Sequence, residues 1–155
     1  MPGIAIGDSL GNTSESLLPV ERFKRFGWIE RYLPNKHKDN QPIGLPSDDT
    51  QLSYWTLERL IEDTRFEPRN IGIALSKHRI FGIGRSVKDF LRAFKNGVHW
   101  SAAGSPSAGN GALMRIAPIL VPHIAKPTLE LWGDITLEAH LTHRDGLSTA
   151  SCLAF

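Results

Sequence analysis

The chain has 155 residues, a formal charge of +2 and 22% charged residues, values that fit one globular domain with a core of its own. Its basic residues are scattered, which argues against a nucleic-acid-binding face, and its single cysteine, Cys152, excludes an internal disulfide and indicates a reducing compartment. No apolar run approaches the roughly 20 residues that cross a bilayer, and the first residues lack a signal-peptide pattern, so we expect a cytoplasmic protein without a membrane partner.

Apolar spacing predicts helices along most of the chain. From residue 49 to residue 63 the apolar side chains recur at helical spacing, and Pro68 limits how far this helix can extend. A second helix follows, in which Ser86 is the expected N-cap and Gly97 the expected left-handed C-terminal residue. Its apolar stripe consists of Val87, Phe90, Leu91 and Phe94.

Three further helices are predicted nearer the C-terminus. They cover residues 112–121, 129–141 and 148–155, and Pro118 must lie near an end of the first of them or produce a kink. No segment shows the alternation of a strand, and there is no hairpin signal. The sequence therefore predicts an all-α protein with one domain, residues 1–155.

Two segments between these helices differ in character. Residues 30–46 are polar and contain proline, which predicts an exposed loop. Residues 97–112 are rich in Gly, Ser and Ala and predict a long loop. Loops of that length are uncommon in compact helical domains unless they bind a ligand.

Two adjacent aspartates, Asp48 and Asp49, lie between Ser47 and Thr50 at the start of a predicted helix. One explanation is helix capping: Ser47 is a good N-cap, and carboxylates in the first turn are stabilised by free backbone N–H groups and the helix dipole. The other is a hard cation such as Mg²⁺ or Mn²⁺, which prefers oxygen ligands. The local residues leave both explanations open.

Glycine-rich turns and a histidine are the other candidates for a ligand site. Gly109 and Gly111 flank Asn110, so the backbone could approach a ligand closely and the following helix could present N–H groups to an anion, although a flexible turn is an equal explanation. Gly82 and Gly84 form a similar turn. His143 and Asp145 fit metal ligands, a ribose-binding pair or an ordinary helix–helix turn, and Cys152 fits a small core residue.

Taken in order, these motifs resemble one family, the ADP-ribosylglycohydrolases. The segments that carry the resemblance are Gly7-Asp8-Ser9-Leu10-Gly11 with Glu15, Ser47-Asp48-Asp49-Thr50, the Gly82/Gly84 turn, residues 109–118 and Thr142-His143-Arg144-Asp145. Each match is weak by itself, but their shared order across almost the whole chain is specific.

The resemblance implies a compact orthogonal bundle of helices and a metal-dependent hydrolase that removes ADP-ribose from a modified protein or other acceptor by attack at the anomeric carbon of the ribose. It implies two Mg²⁺ or Mn²⁺ ions, with Ser47, Asp48 and Asp49 as metal ligands and Glu15, Asp48 and Asp49 as catalytic residues. The residues implied to bind substrate are Gly82, Gly84, Gly109, Asn110, Gly111 and His143.

One departure from the family pattern concerns a later Asp-x-Asp-Thr/Ser segment, which supplies further metal ligands in chains about twice as long. This chain lacks it, so it resembles the N-terminal half of the fold, incomplete at the C-terminus. Three functions follow as hypotheses: an enzyme or half of a split enzyme, a catalytically incomplete ADP-ribose-binding module, or an inert helical fragment. We expect a complementary C-terminal half or self-association to cover exposed apolar faces such as the Val87–Phe94 stripe.

Overall fold

The computed structural model describes residues 1–155, which fold as an all-α protein, so the predicted fold class is confirmed. The α-helices are α1 (Pro2–Gly11), α2 (Pro19–Phe26), α3 (Asp48–Asp63), α4 (Pro68–Lys77), α5 (Arg85–Lys95), α6 (Trp100–Ala103), α7 (Ala117–Leu120), α8 (Leu129–Thr142) and α9 (Gly146–Ala154). Short 3₁₀ turns lie at Asn12–Ser14, Lys36–Lys38, Leu113–Arg115 and Val121–His123. None of the helices combines the length and the apolar character needed to cross a lipid bilayer.

The core consists of two apolar clusters, and Phe66 packs against both of them. In the first, α3, α4 and α5 meet through Leu52, Leu75 and Phe90, which have no exposed surface. In the second, Ile116 and Ile119 pack against α8 and α9, and Cys152 is buried there as the sequence predicted. Helix α3 contacts α1, α4 and α7, so its N-terminal turn is held from several sides.

The stripe on α5 is a correction to the sequence-based expectation. Val87 and Phe90 are buried, and Leu91 and Phe94 pack against the first cluster. This face is therefore covered within the chain and offers no surface for association. The helix also begins two residues earlier than predicted, at Arg85, so that Gly84 and not Ser86 occupies the N-cap position. Gly97 has the expected positive φ of 86°.

Two further predictions of helix boundaries were wrong. The single helix expected over residues 112–121 is divided into a 3₁₀ turn and the four-residue helix α7, with Pro118 in the first turn of α7. Proline lacks an N–H and fits only at a helix start, which explains the division. The loop expected over residues 97–112 contains α6. The segment from residue 15 to residue 46 lies outside the core, and α2 within it buries no residue.

Candidate functional site

The carboxylate of Asp8 holds the N-terminal end of α3. Ser47 donates to it from its backbone N–H at 2.7 Å and from its hydroxyl at 2.6 Å, and Thr50 donates from its hydroxyl at 2.6 Å and its N–H at 3.3 Å. The side-chain amide of Asn12 adds a bond at 3.0 Å. Asp8 therefore performs the capping that the sequence assigned to Ser47, whose side chain accepts no capping hydrogen bond.

Asp48 and Asp49 occupy the first turn of α3 beside two other acids. Burial, followed by the charges of Asp48, Asp8 and Glu15, raises the pKa of Asp49 to about 6. Burial, together with Glu15 and Asp8, also raises the pKa of Asp48, although its own N–H and that of Gly84 oppose the rise. Four carboxyl groups thus repel one another at one end of a helix, an arrangement that a cation would stabilise.

Gly82 and Gly84 lie next to this acidic cluster. Gly82 has a φ of 74°, which favours glycine, and a Cβ at this position would lie 2.8 Å from Oδ1 of Asp48. At Gly84 a Cβ would meet nothing within 4 Å. The turn therefore approaches Asp48 so closely at Gly82 that no larger side chain fits without moving the carboxylate.

The other predicted residues form a second group around His143, whose side chain is only 4% exposed. A Cβ on Gly111 would lie 2.8 Å from its ring atom Cε1, and one on Gly109 would lie 3.6 Å from Nε2. The hydroxyl of Ser148 donates to the carbonyl of Gly109 at 3.2 Å, whereas Asn110 is exposed. The glycines of this loop thus permit close packing on the imidazole.

A buried ion pair is hydrogen-bonded to the second group. Arg115 and Glu138 are fully buried and bonded to each other, and Arg115 also donates to the carbonyl of Gly111 at 3.1 Å. Burial lowers the pKa of His143 to about 4, and the charge of Arg115 contributes to the shift. The expected helix N-terminus behind Gly111 is only the 3₁₀ turn Leu113–Arg115, so it offers no helical anion site.

Two clefts open at the acidic cluster. One, of about 390 Å³, is lined by Asp8, Glu15, Ser47 and Asp49 among others. The other, of about 510 Å³, reaches from Glu15, Ser47 and Gly82 to the turn of residues 35–40. Neither cleft is lined by residues of the His143 group. The structure therefore brings Glu15, Ser47, Asp48, Asp49, Gly82 and Gly84 together, and it gathers Gly109, Asn110, Gly111 and His143 into a group that lines neither of these clefts.

Comparison with known proteins matches the sequence model of one family, ADP-ribosylglycohydrolase, to residues 1–155. The chain belongs to the ADP-ribosylglycohydrolase family. An uncharacterized protein of Archaeoglobus fulgidus is 33% identical over 147 residues, which cover 91% of this chain and 47% of that protein. The ADP-ribosyl-[dinitrogen reductase] glycohydrolase of Rhodospirillum rubrum is 28% identical, with 97% of this chain and 52% of its own length covered.

A third relative, the ADP-ribosylarginine hydrolase Tri1 of Pseudomonas putida, is 24% identical, with 97% of this chain and 42% of its own length covered. The chain spans about half the length of the curated relatives it matches. In this member of the ADP-ribosylglycohydrolase family, the sequence analysis missed the structural roles of Asp8, Thr50 and Arg115. Asp8 and Arg115 lie inside the motifs that carried the resemblance, so their position in those motifs was the available signal.

Proposed function

We propose that this chain supplies the N-terminal part of the active site of an ADP-ribosylglycohydrolase, which removes ADP-ribose from a modified protein or another acceptor by attack of water at the anomeric carbon. The observation that carries the proposal is the first turn of α3, where Asp48 and Asp49 lie close to Asp8 and Glu15. Glu15 lines both clefts, and Asp8 and Asp49 line the smaller one. Asp8 alone caps α3, so a purely structural turn would not need three further carboxyl groups that repel it and one another.

The donor chemistry of this turn fits a hard divalent cation. Every candidate ligand is an oxygen atom, as Mg²⁺ and Mn²⁺ prefer. The Ser47 hydroxyl donates a hydrogen bond to Asp8, so the lone pairs of the Ser47 oxygen are free to bind a cation. No three His, Cys, Asp or Glu side chains form a ready-made metal site, but Mg²⁺ commonly keeps several waters and takes one or two carboxylates.

We assign Ser47, Asp48 and Asp49 as metal ligands, and two ions, Mg²⁺ or Mn²⁺, to the complete site. Bound there, the metal supplies positive charge that orients ribose hydroxyls and promotes ionisation of a water. Glu15 lines both clefts, where its carboxylate would accept a proton from the attacking water.

We assign substrate binding to the two glycine turns and His143. Gly82 and Gly84 place bare backbone beside Asp48, and Gly109, Asn110 and Gly111 place it beside the buried imidazole. Backbone without side chains lets a diphosphate and a ribose approach N–H groups closely. The two groups of residues come from different segments of the sequence, and an extended ligand such as ADP-ribose could contact both.

A second candidate function is an ADP-ribose-binding module that does not catalyse. It is favoured by the same shortage of grouped metal ligands, because binding through the glycine turns needs less of the metal site than hydrolysis does. Under this alternative the chain would bind ADP-ribose but release none from a modified substrate.

Calorimetry and product analysis test the proposal together. Titration of Mg²⁺ or Mn²⁺ should give saturable binding that Asp48→Ala and Asp49→Ala each weaken at least tenfold, while Asp63→Ala, at the far end of α3, leaves it unchanged. ADP-ribose should then raise the melting temperature only when metal is present. Absence of metal and ADP-ribose binding in the unmodified chain would refute the proposal. Binding without release of ADP-ribose from any ADP-ribosylated substrate, even when the C-terminal half of a longer relative is added, would support the binding module.

A further inference from the structure

The larger cleft is lined by one acidic residue and by several basic ones. Glu15, Ser47 and Gly82 belong to the acidic cluster. Arg25 comes from the last turn of α2, and Lys36 and His37 come from the 3₁₀ turn that follows it in the chain. Glu15 is the only acidic residue that lines the cleft. Its volume of about 510 Å³ is large enough for a small organic group.

The turn that carries Lys36 and His37 is tied together by its own hydrogen bonds. The N–H of Asn35 donates to the carbonyl of Gln41 at 3.0 Å, and the N–H of Asn40 donates to the carbonyl of Asn35 at 3.0 Å. The side-chain oxygen of Asn35 accepts from the N–H of His37 at 2.9 Å. Asn35 is 4% exposed and lines the cleft, so the turn presents its cations from a defined position.

The cations of the cleft have no anionic partner in the protein. The ion pairs of the structure involve neither Arg25 nor Lys36. The guanidinium of Arg25 lies 5.1 Å from the centre of the Phe26 ring, which also lines the cleft. Cations that line a cavity without an anionic partner attract a negatively charged group.

We infer that this cleft binds the acceptor side of the substrate, and that the acceptor carries a negatively charged phosphate or carboxylate group. The inference rests on the proposed function, which places the anomeric carbon near Glu15 and Ser47. Of the glycine turns assigned to ADP-ribose, only Gly82 lines this cleft, so we assign the rest of its lining to the leaving group. An anion there would lie against Arg25 and Lys36.

The same charges disfavour a guanidinium acceptor. An arginine side chain in this cleft would add a positive charge to a cavity that Arg25 and Lys36 line, with Glu15 as the only anion. Like charges brought together in a partly enclosed site raise the free energy of binding. Under this inference the chain would differ in acceptor specificity from the relative named as an ADP-ribosylarginine hydrolase.

Binding of uncleavable analogues tests the inference. We would titrate ADP-ribose and three derivatives that carry a methyl, a carboxymethyl or a phosphonomethyl group linked through carbon to the anomeric position. The anionic derivatives should bind about tenfold more tightly than the methyl derivative, as expected for a charge-assisted hydrogen bond. The ratio of the phosphonate to the carboxylate affinity distinguishes the two sources of negative charge.

Four variants give matched comparisons. Arg25→Ala and Lys36→Ala should each bring the affinities of the anionic and methyl derivatives close together. Lys24→Ala and Lys38→Ala, which remove neighbouring cations that do not line the cleft, should leave the tenfold preference intact. Equal binding of all derivatives by the unmodified chain, or equal effects of all four variants, would overturn the acceptor assignment alone. Failure to bind ADP-ribose itself would overturn the proposed function and this inference with it.

Discussion

The carboxylate of Asp8 accepts five hydrogen bonds from Asn12, Ser47 and Thr50. Burial opposes its ionisation, but the bonds from Ser47, Thr50 and Asn12 outweigh burial and lower the pKa of Asp8. Ser47 and Thr50 are 39 and 42 residues away in the sequence. No local pattern could have revealed this cap, because capping rules search only the residues next to the helix start.

Asp8→Asn should therefore destabilise the protein and weaken metal binding. An amide oxygen accepts fewer hydrogen bonds than a carboxylate, and its NH₂ group would face the N–H and hydroxyl donors of Ser47 and Thr50. We expect a loss of about 1–3 kcal/mol in the free energy of unfolding, measured by urea denaturation. Asp39→Asn, in an exposed turn, is the control and should change stability little. An Asp8→Asn variant as stable as its parent would contradict this assignment.

The glycine pair offers a second test at the residue scale. Gly82→Ala should weaken metal binding because its Cβ would press on Asp48, and the positive φ adds about 1–2 kcal/mol of strain. At Gly84 the space is open and φ is −70°. Gly84→Ala should therefore leave metal binding unchanged and introduce no backbone strain. Calorimetric titration and thermal melts on both variants provide the measurement. Equal behaviour of the two would mean that the approach of Gly82 to Asp48 has no importance for the site.

His143 should make the protein sensitive to mild acid. Its pKa is about 4 in the folded chain and near 6.5 when unfolded, so folding favours the neutral ring. This contribution is fully present above pH 6.5 and is lost progressively as the pH falls towards 4. Urea denaturation at several pH values should show a shallower decline for His143→Gln than for the parent. The exposed His37→Gln should follow the parent, and parallel profiles for all three would refute the prediction.

At the scale of the helix, the sequence predicted the elements whose signals are local. The start and end of α3, the stripe of α5 and the extents of α8 and α9 follow from apolar spacing and end residues, and all lie within two residues of the prediction. The helix over residues 112–121 failed because Pro118 interrupts it and because Arg115 turns inward to Glu138. That buried pair depends on contacts 23 residues apart, which periodicity does not contain.

Helix α9 provides a test of local capping. Asp145 occupies its N-cap and accepts from the N–H groups of Leu147 at 2.8 Å and Ser148 at 3.4 Å. Of the three explanations that the sequence left open for this residue, the structure supports the helix junction. Asp145→Ala should cost about 1 kcal/mol of stability without changing metal affinity. Asp145→Asn, which keeps an acceptor oxygen, should remain close to the parent. A weakened metal site in the alanine variant would instead indicate a ligand.

For the whole molecule, the family and the all-α class could be recognised from ordered motifs, whereas the arrangement of the candidate site could not. The resemblance treated Glu15, Asp48, His143 and the glycine turns as one site. In the structure Gly109 and Gly111 pack on the imidazole, Arg115 anchors their loop, and this group lines neither cleft at the acidic cluster. Close packing on a ring and close approach of a ligand both favour glycine, so the sequence could not reveal the contacts with His143 and Arg115.

We expect the 155-residue chain alone to have little hydrolase activity. Its grouped oxygen donors, Glu15, Ser47, Asp48 and Asp49, can hold one cation in part, and a site with two metals depends on fixing both. Release of ADP-ribose from an ADP-ribosylated protein, followed by chromatography with Mg²⁺ or Mn²⁺, provides the measurement. Addition of the C-terminal half of a longer relative should increase the rate. The same half with both aspartates of its Asp-x-Asp-Thr/Ser segment replaced by alanine should not. Full turnover by the chain alone would contradict this expectation.

The bonds from Ser47 to Asp8 and from Asn12 to the carbonyl of Leu45 close the intervening segment at its base. That segment contains α2, which buries no residue. Apart from Glu15, its sequence and length can therefore change without disturbing the bundle, as surface loops generally can. The glycine turns and the aspartates of the acidic cluster belong to the bundle and have no such freedom. Acceptor specificity could thus change in evolution through substitutions and length changes in this one segment, while the helical bundle stays the same.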